Sequence, residues 1–420
     1  MHFETGPEVA VTRAATRLRR SLAGAAIAAI SFASGTAGAA PAPASIPAAL
    51  FNGHPAEQTH RQLQATFTDL TKAELFAGTV LIAKGDKVLF EGAYGLASRE
   101  YGIPNRLDTR LNLASAGKMF TAVAIGALRD SGKIRFEDPI GKYLDASWIE
   151  PAAGARITLA NLLTHTSGIP EYFSPEFFGR SRELFKTLDD YKPLIAELKP
   201  TFAPGAHWSY SNSNFLLLGA VIEKVTGKSY DDFIREAVFR PAGMTHSGAL
   251  DLEQVNHDYA QGYLKLPSAP PPPPTATSIE HLDFRQDALE NASAQEQLTK
   301  TGFEWRNNIF MHVVKGGASG GTFSTAEDLL KLANALTSGR LLKPETLALM
   351  TSPKPLSPDY GYGFELMDGG FGHTGGFPGI DNSVVFYPDG YRLIVLSNVD
   401  DGSSLVIARL IALASATPPH

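Results

Sequence analysis

The sequence contains no cysteine. That absence excludes a thiol nucleophile, a disulfide framework and a cysteine-ligated metal site, and it leaves the redox compartment open. The 11 histidines are scattered, without a His-Glu-x-x-His pattern or another close pair of ligands. A zinc hydrolase therefore has little support, and we expect neither a metal nor a cofactor. Strong charge is lacking too, because a net charge of −6 and a pI of about 6.0 provide no basic field for nucleic acid.

Long apolar runs are scarce, with one exception near the N-terminus. Four arginines (Arg13, Arg17, Arg19 and Arg20) precede an Ala-rich apolar run over residues 22–32, and residues 37–39 read Ala-Gly-Ala, which fits a cleavage site. We predict a signal peptide over residues 1–39, a linker over residues 40–56 and export to the periplasm or the exterior; the alternative is an Ala-rich tail without that role. No uninterrupted apolar run in the rest of the chain reaches about 18 residues, so no membrane span is expected after cleavage.

The order of strand-like and helix-like segments indicates the fold class. With 44% hydrophobic and 19% charged residues, the chain has the composition of a soluble globular protein. Strand patterns occupy residues 79–83 and 88–94 near one end and 362–366, 382–387 and 392–397 near the other. Strands from both ends can pair in one antiparallel sheet, so we predict an α+β fold over residues 57–415, with helices flanking the sheet. Helix patterns dominate a lobe over about 111–310, and a cleft between the lobe and the sheet is the expected site.

A proline-rich, polar insertion interrupts the predicted lobe over about residues 264–308. Residues 270–274 are all proline and cannot enter a helix or a central strand. We favour a surface insertion, with a lid over the site as the alternative, because long loops in compact domains are often functional.

The first candidate for chemistry is Ser115-Ala-Gly-Lys118, which directly precedes the apolar run over residues 119–128. Such a run predicts a buried helix, and residues i and i+3 share one helix face, so the Lys118 amine can reach the Ser115 hydroxyl. A lysine whose pKa is lowered by burial or by cationic neighbours is a plausible base for a serine nucleophile. The alternative is a helix that merely contains a serine and a lysine three residues apart.

The second candidate is Tyr210-Ser211-Asn212, at the entrance of another helix pattern that is apolar all round. A phenol there can carry a proton between the serine and the leaving group. The Asn212 amide can both donate to and accept from a substrate amide. The alternative is a core tyrosine followed by a helix-capping asparagine.

The third candidate is His373-Thr374-Gly375-Gly376, where the glycines allow the backbone to approach a ligand closely. The backbone N–H groups of Gly376 and Ser115 are candidates for an oxyanion hole, and His373 and Thr374 for contacts with a substrate carboxylate or carbonyl. The alternative is a glycine-rich turn ahead of the strand that begins near Asn382.

Residues 317–321 match the G-x-S-x-G nucleophile elbow, with Ser319 in the central position. An elbow requires a helix immediately after the turn, whereas a capping box of Ser324 and Glu327 predicts a helix that starts later, over residues 326–336. The segment therefore predicts glycine-rich packing beside the cleft rather than a second nucleophile.

In this order, Ser115-x-x-Lys118, Tyr210-x-Asn212 and His373-Thr374-Gly375 resemble the active-site set of the serine β-lactamase and penicillin-binding-protein superfamily, in particular its class C β-lactamase-related and D,D-carboxypeptidase (S12) branch. The resemblance extends to residues 76–80, 162–170, 208–219 and 320–329 and so covers nearly the whole mature chain. It implies a sheet flanked by helices, an all-helical lobe and an active site between them.

The resemblance also implies an acyl-enzyme mechanism with Ser115 as nucleophile, Lys118 and Tyr210 as proton carriers, and the backbone amides of Ser115 and Gly376 as oxyanion hole. Asn212, His373, Thr374 and Gly375 correspond to substrate-binding positions. Histidine replaces the lysine usual in β-lactamases at position 373, which favours an esterase or a D-amino-acid peptidase over a β-lactamase. We expect an exported serine hydrolase acting on a small-molecule or peptide substrate; the alternative is a non-catalytic module that binds peptidoglycan or a partner protein.

Overall fold

A six-stranded antiparallel sheet organises the molecule. The computed structural model describes residues 44–251, 253–267, 283–312, 315 and 317–416. The strands of the sheet are β1 (Gly78–Lys84), β2 (Lys87–Tyr94), β3 (Glu365–Met367), β4 (Gly370–Phe377), β5 (Ile380–Phe386) and β6 (Tyr391–Ser397). Their spatial order is β3-β4-β5-β6-β1-β2, so the first and last parts of the chain meet in the middle of the sheet.

Both faces of the sheet are buried, and alternating residues supply two separate cores. On β1, Val80 and Ile82 belong to one core, whereas Leu81 and Ala83 belong to the other. This division follows from the period of two that a strand imposes on its side chains. Each core is covered by its own set of helices, so the sheet is the middle layer of the molecule.

Six longer helices cover the two faces. They are α1 (Ala56–Lys72), α2 (Lys118–Asp130), α3 (Asn212–Thr226), α4 (Phe284–Thr301), α5 (Ala326–Thr337) and α6 (Gly402–Ala416). Leu63 and Phe67 of α1 and Leu405 of α6 pack in the core that contains Val80, which we call the outer core. Helices α2, α3 and α5 pack in the core that contains Leu81, which we call the site core.

Shorter elements complete the described chain. Short α-helices span Ile46–Phe51, Pro151–Gly154, Leu159–Leu163, Pro175–Gly179, Lys192–Ile195, Tyr230–Ile234, Arg240–Ala242 and Pro344–Met350. Single 3-10 turns span Ala114–Gly117, Ile140–Lys142, Arg182–Leu184 and Leu188–Tyr191, and a π turn spans Arg235–Phe239. Minor strands span Leu96–Ser98, Ile103–Pro104, Leu111–Asn112, Gly248–Ala249, Tyr263–Pro267, Phe303–Asn307 and Thr322–Ser324.

The α+β prediction is confirmed: an antiparallel sheet with strands from both ends of the chain carries helices on both faces. Helix α3 ends at Gly227, which caps it in the left-handed region at φ 68°. None of the described helices combines the length and the apolar character needed to cross a bilayer.

Four local predictions need correction. The linker over residues 40–56 contains the helix Ile46–Phe51, whose Ile46 and Leu50 are buried in the outer core. Thr325 caps α5 by accepting from the Asp328 backbone N–H, so the predicted capping box lies one residue too early. The strand predicted over residues 362–366 is the later and shorter β3, Glu365–Met367. The segment containing His373 is strand β4 rather than a turn ahead of β5.

The insertion over residues 264–308 belongs to the sheet side of the molecule, not to the helical lobe. Its flanks, Tyr263–Pro267 and Phe303–Asn307, pair as an antiparallel ribbon. Helix α4 packs on α6, where Ala288 and Ala292 are buried in the outer core. The described part of the insertion thus adds a two-stranded ribbon and α4 to this side of the molecule. The choice between a surface insertion and a lid stays a prediction, because the proline run lies outside the described residues, as does the signal peptide predicted over residues 1–39.

Candidate active site

Ser115 lies in the 3-10 turn Ala114–Gly117, which runs directly into α2. The preceding residue, Ala114, has a φ of 44°, a left-handed conformation that is costly for a residue with a side chain. Hydrogen bonds hold it from both sides: the Ala114 N–H donates to Asn112 Oδ1 at 2.8 Å, and its carbonyl accepts from the Gly321 N–H at 3.2 Å. The turn thus fixes a partly exposed serine at the start of a buried helix.

Lys118 is fully buried, and its ammonium faces three oxygen atoms. Nζ lies 3.0 Å from Ser115 Oγ, 2.6 Å from Asn212 Oδ1 and 2.6 Å from the Ser319 carbonyl oxygen. Three acceptors match the three donors of an ammonium. The spacing of three residues predicted that Lys118 can reach the serine hydroxyl, and the two groups do lie at hydrogen-bond distance.

Asn212 is the first residue of α3, and its amide connects Lys118 to an acidic residue. Its Oδ1 accepts from Lys118, while its Nδ2 and its backbone N–H donate to Glu171 Oε2 at 2.7 and 2.8 Å. Glu171 thereby fixes which end of the amide faces the lysine. Asn212 Oδ1 therefore serves as a hydrogen-bond acceptor for Lys118. The contact between Asn212 and a substrate amide stays a prediction.

Tyr210 stands at the open side of this cluster. The side chain is half-buried, and its ring centroid lies 5.1 Å from Lys118 Nζ. On its other side the ring lies 4.2 Å from the His165 ring, at an interplanar angle of 30°. The structure therefore brings Ser115, Lys118, Tyr210 and Asn212 together from two separate stretches of sequence.

Strand β4 passes directly against the serine turn because Gly375 has no side chain. A Cβ atom at Gly375 would lie 2.1 Å from the Leu113 carbonyl oxygen and 3.0 Å from the Ala116 nitrogen. Asn382 of β5 also ties the sheet to this region, as its Nδ2 donates to the Asn112 carbonyl at 3.0 Å. Gly376 follows Gly375 on the same strand, next to the turn that holds the predicted nucleophile.

His373 does not lie at the edge of the cleft. Its side chain is fully buried, Nε2 lies 2.9 Å from Tyr360 Oη, and Nδ1 lies 2.5 Å from the Thr374 carbonyl oxygen and 3.2 Å from Glu365 Oε1. Burial lowers the pKa of His373; Glu365 opposes this effect and the charge of Lys118 adds to it. This placement corrects the expectation that the imidazole contacts a substrate carboxylate.

Thr374 is also tied to protein groups. Its N–H and its Oγ1 donate to the two Glu365 carboxylate oxygens at 2.8 and 2.9 Å. The side chain remains half-buried, so its predicted contact with a substrate carbonyl stays a prediction.

The segment around Ser319 packs beside the site, as the sequence predicted. The Ser319 carbonyl accepts from Lys118, and the Ser319 hydroxyl lies 3.3 Å from Tyr172 Oη. A Cβ atom at Gly320 would lie 2.5 Å from the Ala114 carbonyl oxygen, so this glycine permits close approach to the serine turn. Because α5 begins only at Ala326, the structural context of a nucleophile elbow is absent.

Sequence comparison gives the family. A family model described as Beta-lactamase matches residues 63–416. The chain belongs to the β-lactamase family. Among its relatives, a penicillin-binding protein of Bacillus subtilis (strain 168) is 29% identical over 362 residues, which cover 82% of this chain and 73% of that protein.

Solved structures of the same superfamily share the fold. The penicillin binding protein from Bacillus halodurans has a TM-score of 0.68 and 30% identity, covering 84% of this chain and 98% of that one. The D-stereospecific amidohydrolase from Streptomyces sp. has a TM-score of 0.61 and 25% identity, covering 82% and 97%. The resemblance stated from the three sequence motifs is thus confirmed for this β-lactamase-family chain.

An aromatic rim flanks the site of this family member. Phe173 lies two residues after Glu171, and its N–H donates to that carboxylate at 3.2 Å, while Phe377 ends β4 just beyond Gly376. The two rings have their centroids 6.3 Å apart, and the His312 ring lies 5.2 Å from Phe377. Burial lowers the pKa of His312 to about 4, so this ring is uncharged at neutral pH. These partly exposed rings therefore form an apolar and uncharged aromatic cluster beside the site.

Sequence reasoning missed Glu171, His165 and Tyr360. Glu171 lies in an irregular loop, where no periodicity marks it, and Tyr360 precedes the short strand β3. His165 lies within the family-typical stretch 162–170, which was the available signal, although that stretch alone assigns it no role. The described residues contain no cluster of acidic or histidine side chains able to hold a metal ion.

Proposed function

We propose that the protein hydrolyses an ester or a peptide-like amide through an acyl-serine intermediate. Ser115 attacks the carbonyl as its proton passes to Lys118, Lys118 releases a proton to the Tyr210 oxygen, and Tyr210 delivers it to the leaving group; the backbone N–H groups of Ser115 and Gly376 bind the oxyanion. Water then attacks the acyl-enzyme and releases the acid. The observation that carries this proposal is the 3.0 Å contact between Ser115 Oγ and the Nζ atom of the fully buried Lys118.

The preferred substrate is neutral near the scissile bond. A β-lactam carries a carboxylate there, and a positively charged side chain would bind it best. At position 373, where β-lactamases usually carry lysine, this chain has an imidazole that is buried and engaged by Tyr360 and Thr374. The aromatic rim of Phe173 and Phe377 favours apolar groups. These features support esters first, D-amino-acid amides second and β-lactams last.

The test is covalent labelling combined with a substrate panel. A serine-reactive fluorophosphonate should label the purified protein at Ser115, and p-nitrophenyl esters should be turned over faster than nitrocefin. Ser115→Ala should abolish labelling and turnover with the fold intact, because the covalent route requires the hydroxyl. Ser319→Ala is the matched control: it retains the carbonyl that accepts from Lys118 and should keep its activity. Loss of activity in Ser319→Ala but not in Ser115→Ala would overturn the assignment, and absence of labelling would support a non-catalytic binding module.

We also propose export, directed by the basic and apolar segment over residues 1–39. Expression of the full chain in a Gram-negative host should yield a periplasmic form whose N-terminus begins near residue 40. Recovery of the uncleaved chain from the cytoplasm would contradict this proposal.

A further inference from the structure

A buried chain of hydrogen bonds links the third motif to the second beneath the site. From His373 Nε2 it runs 2.9 Å to Tyr360 Oη, and from Tyr360 Oη 3.2 Å to His165 Nε2. From His165 Nδ1 it continues 3.2 Å to the backbone nitrogen of Ser211, the residue after Tyr210. His373 and His165 are fully buried, and Tyr360 is 1% exposed. The catalytic steps proposed above use none of these three side chains.

The direction of every proton in this chain follows from its two ends. At one end the Ser211 N–H can only donate, so His165 Nδ1 accepts and His165 Nε2 carries the hydrogen. Tyr360 Oη then accepts from His165 and must donate its own hydrogen to His373 Nε2. His373 therefore carries its hydrogen on Nδ1.

The contacts of His373 at the other end of the chain independently place its hydrogen on Nδ1. His373 Nδ1 faces the Thr374 carbonyl and a Glu365 carboxylate oxygen, both of which are acceptors. A hydrogen on Nδ1 is therefore required there too. Every donor and acceptor from His373 to Ser211 is satisfied in one arrangement with two neutral imidazoles in opposite tautomers, as expected for a fully satisfied buried polar network.

A charged imidazole breaks this arrangement. If His373 carried hydrogens on both nitrogens, Tyr360 Oη would face two donors and its own hydrogen would have no acceptor in the chain. The charged neighbours act in the same direction, except for Glu365. Burial and the charge of Lys118 lower the pKa of His165, and burial also outweighs Glu365 at His373.

His165 holds the backbone on both sides of Tyr210. Its carbonyl accepts from the Ser209 N–H at 2.9 Å, its ring accepts from the Ser211 N–H, and the ring lies 4.2 Å from the Tyr210 ring. The residue has a φ of 57°, so its backbone is held in a conformation that is unfavourable for a residue with a side chain. A rotation of this imidazole would release Ser211 and remove the surface against which Tyr210 rests.

We propose that His165, Tyr360 and His373 are positioning residues: a buried relay of two neutral histidines of opposite tautomer that fixes the loop carrying Tyr210. His373 thus acts on the second motif through two side chains, not on the substrate. The catalytic consequence rests on the proposed function, since it requires Tyr210 to carry protons. The tautomers themselves do not depend on that function.

The first test reads the tautomers directly. Long-range nitrogen–proton correlation spectra of protein labelled with 15N-histidine, recorded at pH 7, should contain one Nε2–H tautomer that disappears in His165→Asn. They should also contain one Nδ1–H tautomer that disappears in His373→Gln. A charged His373, or the same tautomer at both positions in the wild-type protein, would overturn the relay without bearing on the acyl-serine proposal.

The second test separates positioning from general stability. Tyr360→Phe removes only the central hydroxyl, and we expect kcat to fall by about tenfold or more while KM changes by less than about threefold. Tyr391→Phe is the matched control, because this buried tyrosine donates to Asn52 at 2.9 Å in the outer core and its variant should keep the wild-type kcat.

Replacement of His373 provides a rescue. His373→Leu should behave like Tyr360→Phe, whereas His373→Gln retains an acceptor for the Tyr360 hydroxyl and should recover most of kcat. Equal losses in the leucine and glutamine variants, or wild-type kcat in Tyr360→Phe, would overturn the proposal. If Ser115→Ala keeps its turnover while the variants of the relay behave as expected, the acyl-serine proposal is wrong and the relay is not affected. If Tyr360→Phe does not fold, the tautomers measured in the wild-type protein still test the relay.

Discussion

At the scale of single residues, Lys118 and His373 show how the direction of a buried side chain sets its role. Both are fully buried and both belong to active-site motifs. The Lys118 ammonium points along α2 toward the partly exposed Ser115, so its charge is available to the reacting group. The His373 imidazole points into the protein toward Tyr360, so it forms its hydrogen bonds with protein groups and not with a substrate.

The first residue-scale prediction concerns His373→Lys, which restores the residue usual in β-lactamases. The new ammonium would be buried beside the Tyr360 hydroxyl and would leave the relay unsatisfied, although Glu365 can pair with it. We expect a loss of about 1–3 kcal/mol in the free energy of unfolding and no gain in selectivity for a substrate carboxylate. Thermal denaturation and kcat/KM for nitrocefin and p-nitrophenyl butyrate measure the two effects.

His373→Gln serves as the control for this substitution, because it is uncharged and keeps an acceptor for Tyr360. If His373→Lys lowered KM for nitrocefin and left the butyrate ester unchanged, the side chain at this position would face the cleft. The buried orientation and the relay would then both be wrong.

At the scale of elements, the contact between β4 and the serine turn depends on one missing side chain. Gly375→Ala would place a Cβ 2.1 Å from the Leu113 carbonyl, so the strand must move away from the turn that holds Ser115. We expect kcat/KM to fall by at least about a hundredfold, since small displacements of catalytic groups have large effects on rate. Steady-state kinetics on p-nitrophenyl butyrate, with circular dichroism to verify folding, measures this loss.

A second glycine in a strand provides the matched control. Gly248 has no heavy atom within 4 Å of the position that a Cβ would occupy, so Gly248→Ala should retain both activity and fold. Retained activity in Gly375→Ala would show that β4 can shift without disturbing the nucleophile.

The elements that sequence patterns predicted well are those whose local signals agree with their tertiary environment. The hairpin of β1 and β2, joined at Gly85-Asp86, has runs of strand-forming apolar residues on both sides of a tight turn. Helices α2 and α3 are apolar all round because they pass through the site core. In the hairpin and in these two helices, the local sequence pattern and the tertiary packing favour the same structure. The local pattern is therefore enough to predict each element.

Strand β4 was missed because its local signals disagree with its environment. Four of its eight residues are glycine, which weakens a strand, and the strand forms because β3 and β5 pair with it on both sides. The same reason applies to the site. The i, i+3 contact between Ser115 and Lys118 is encoded locally, whereas Glu171, Tyr360 and His165 meet the motifs only after the chain has folded.

At the scale of the whole molecule, the sheet separates the reacting groups from the outer core. Val395 and Ile394 are neighbours on β6 and equally buried, but Val395 faces the outer core and Ile394 the site core. Val395→Ala should reduce the free energy of unfolding by about 2 kcal/mol because it leaves a cavity. Its kcat per fluorophosphonate-labelled serine should equal that of the wild type, as measured by active-site titration and denaturant unfolding.

Ile394→Ala is the matched comparison on the opposite face. It removes three buried carbon atoms from the site core, one more than Val395→Ala removes from the outer core, and we expect both stability and kcat to fall. If Val395→Ala lowered kcat as much as Ile394→Ala, packing in the outer core would affect catalysis as strongly as packing in the site core. The sheet would then not separate the reacting groups from the outer core.

The pairing of β1 with β6 has a consequence for how this protein is made. The two strands are neighbours in the sheet, yet the bond from the Ser397 hydroxyl to the Ala77 carbonyl joins positions 320 residues apart. During synthesis, the β1–β2 hairpin and α2 leave the ribosome long before the strand that must pair with β1 exists. The nascent chain therefore carries an unpaired strand edge beside an apolar helix, which is a substrate for chaperones and a seed for aggregation. Ser115 is translated well before β6, and closure of the sheet beside it is a non-local, slow step that awaits the last part of the chain.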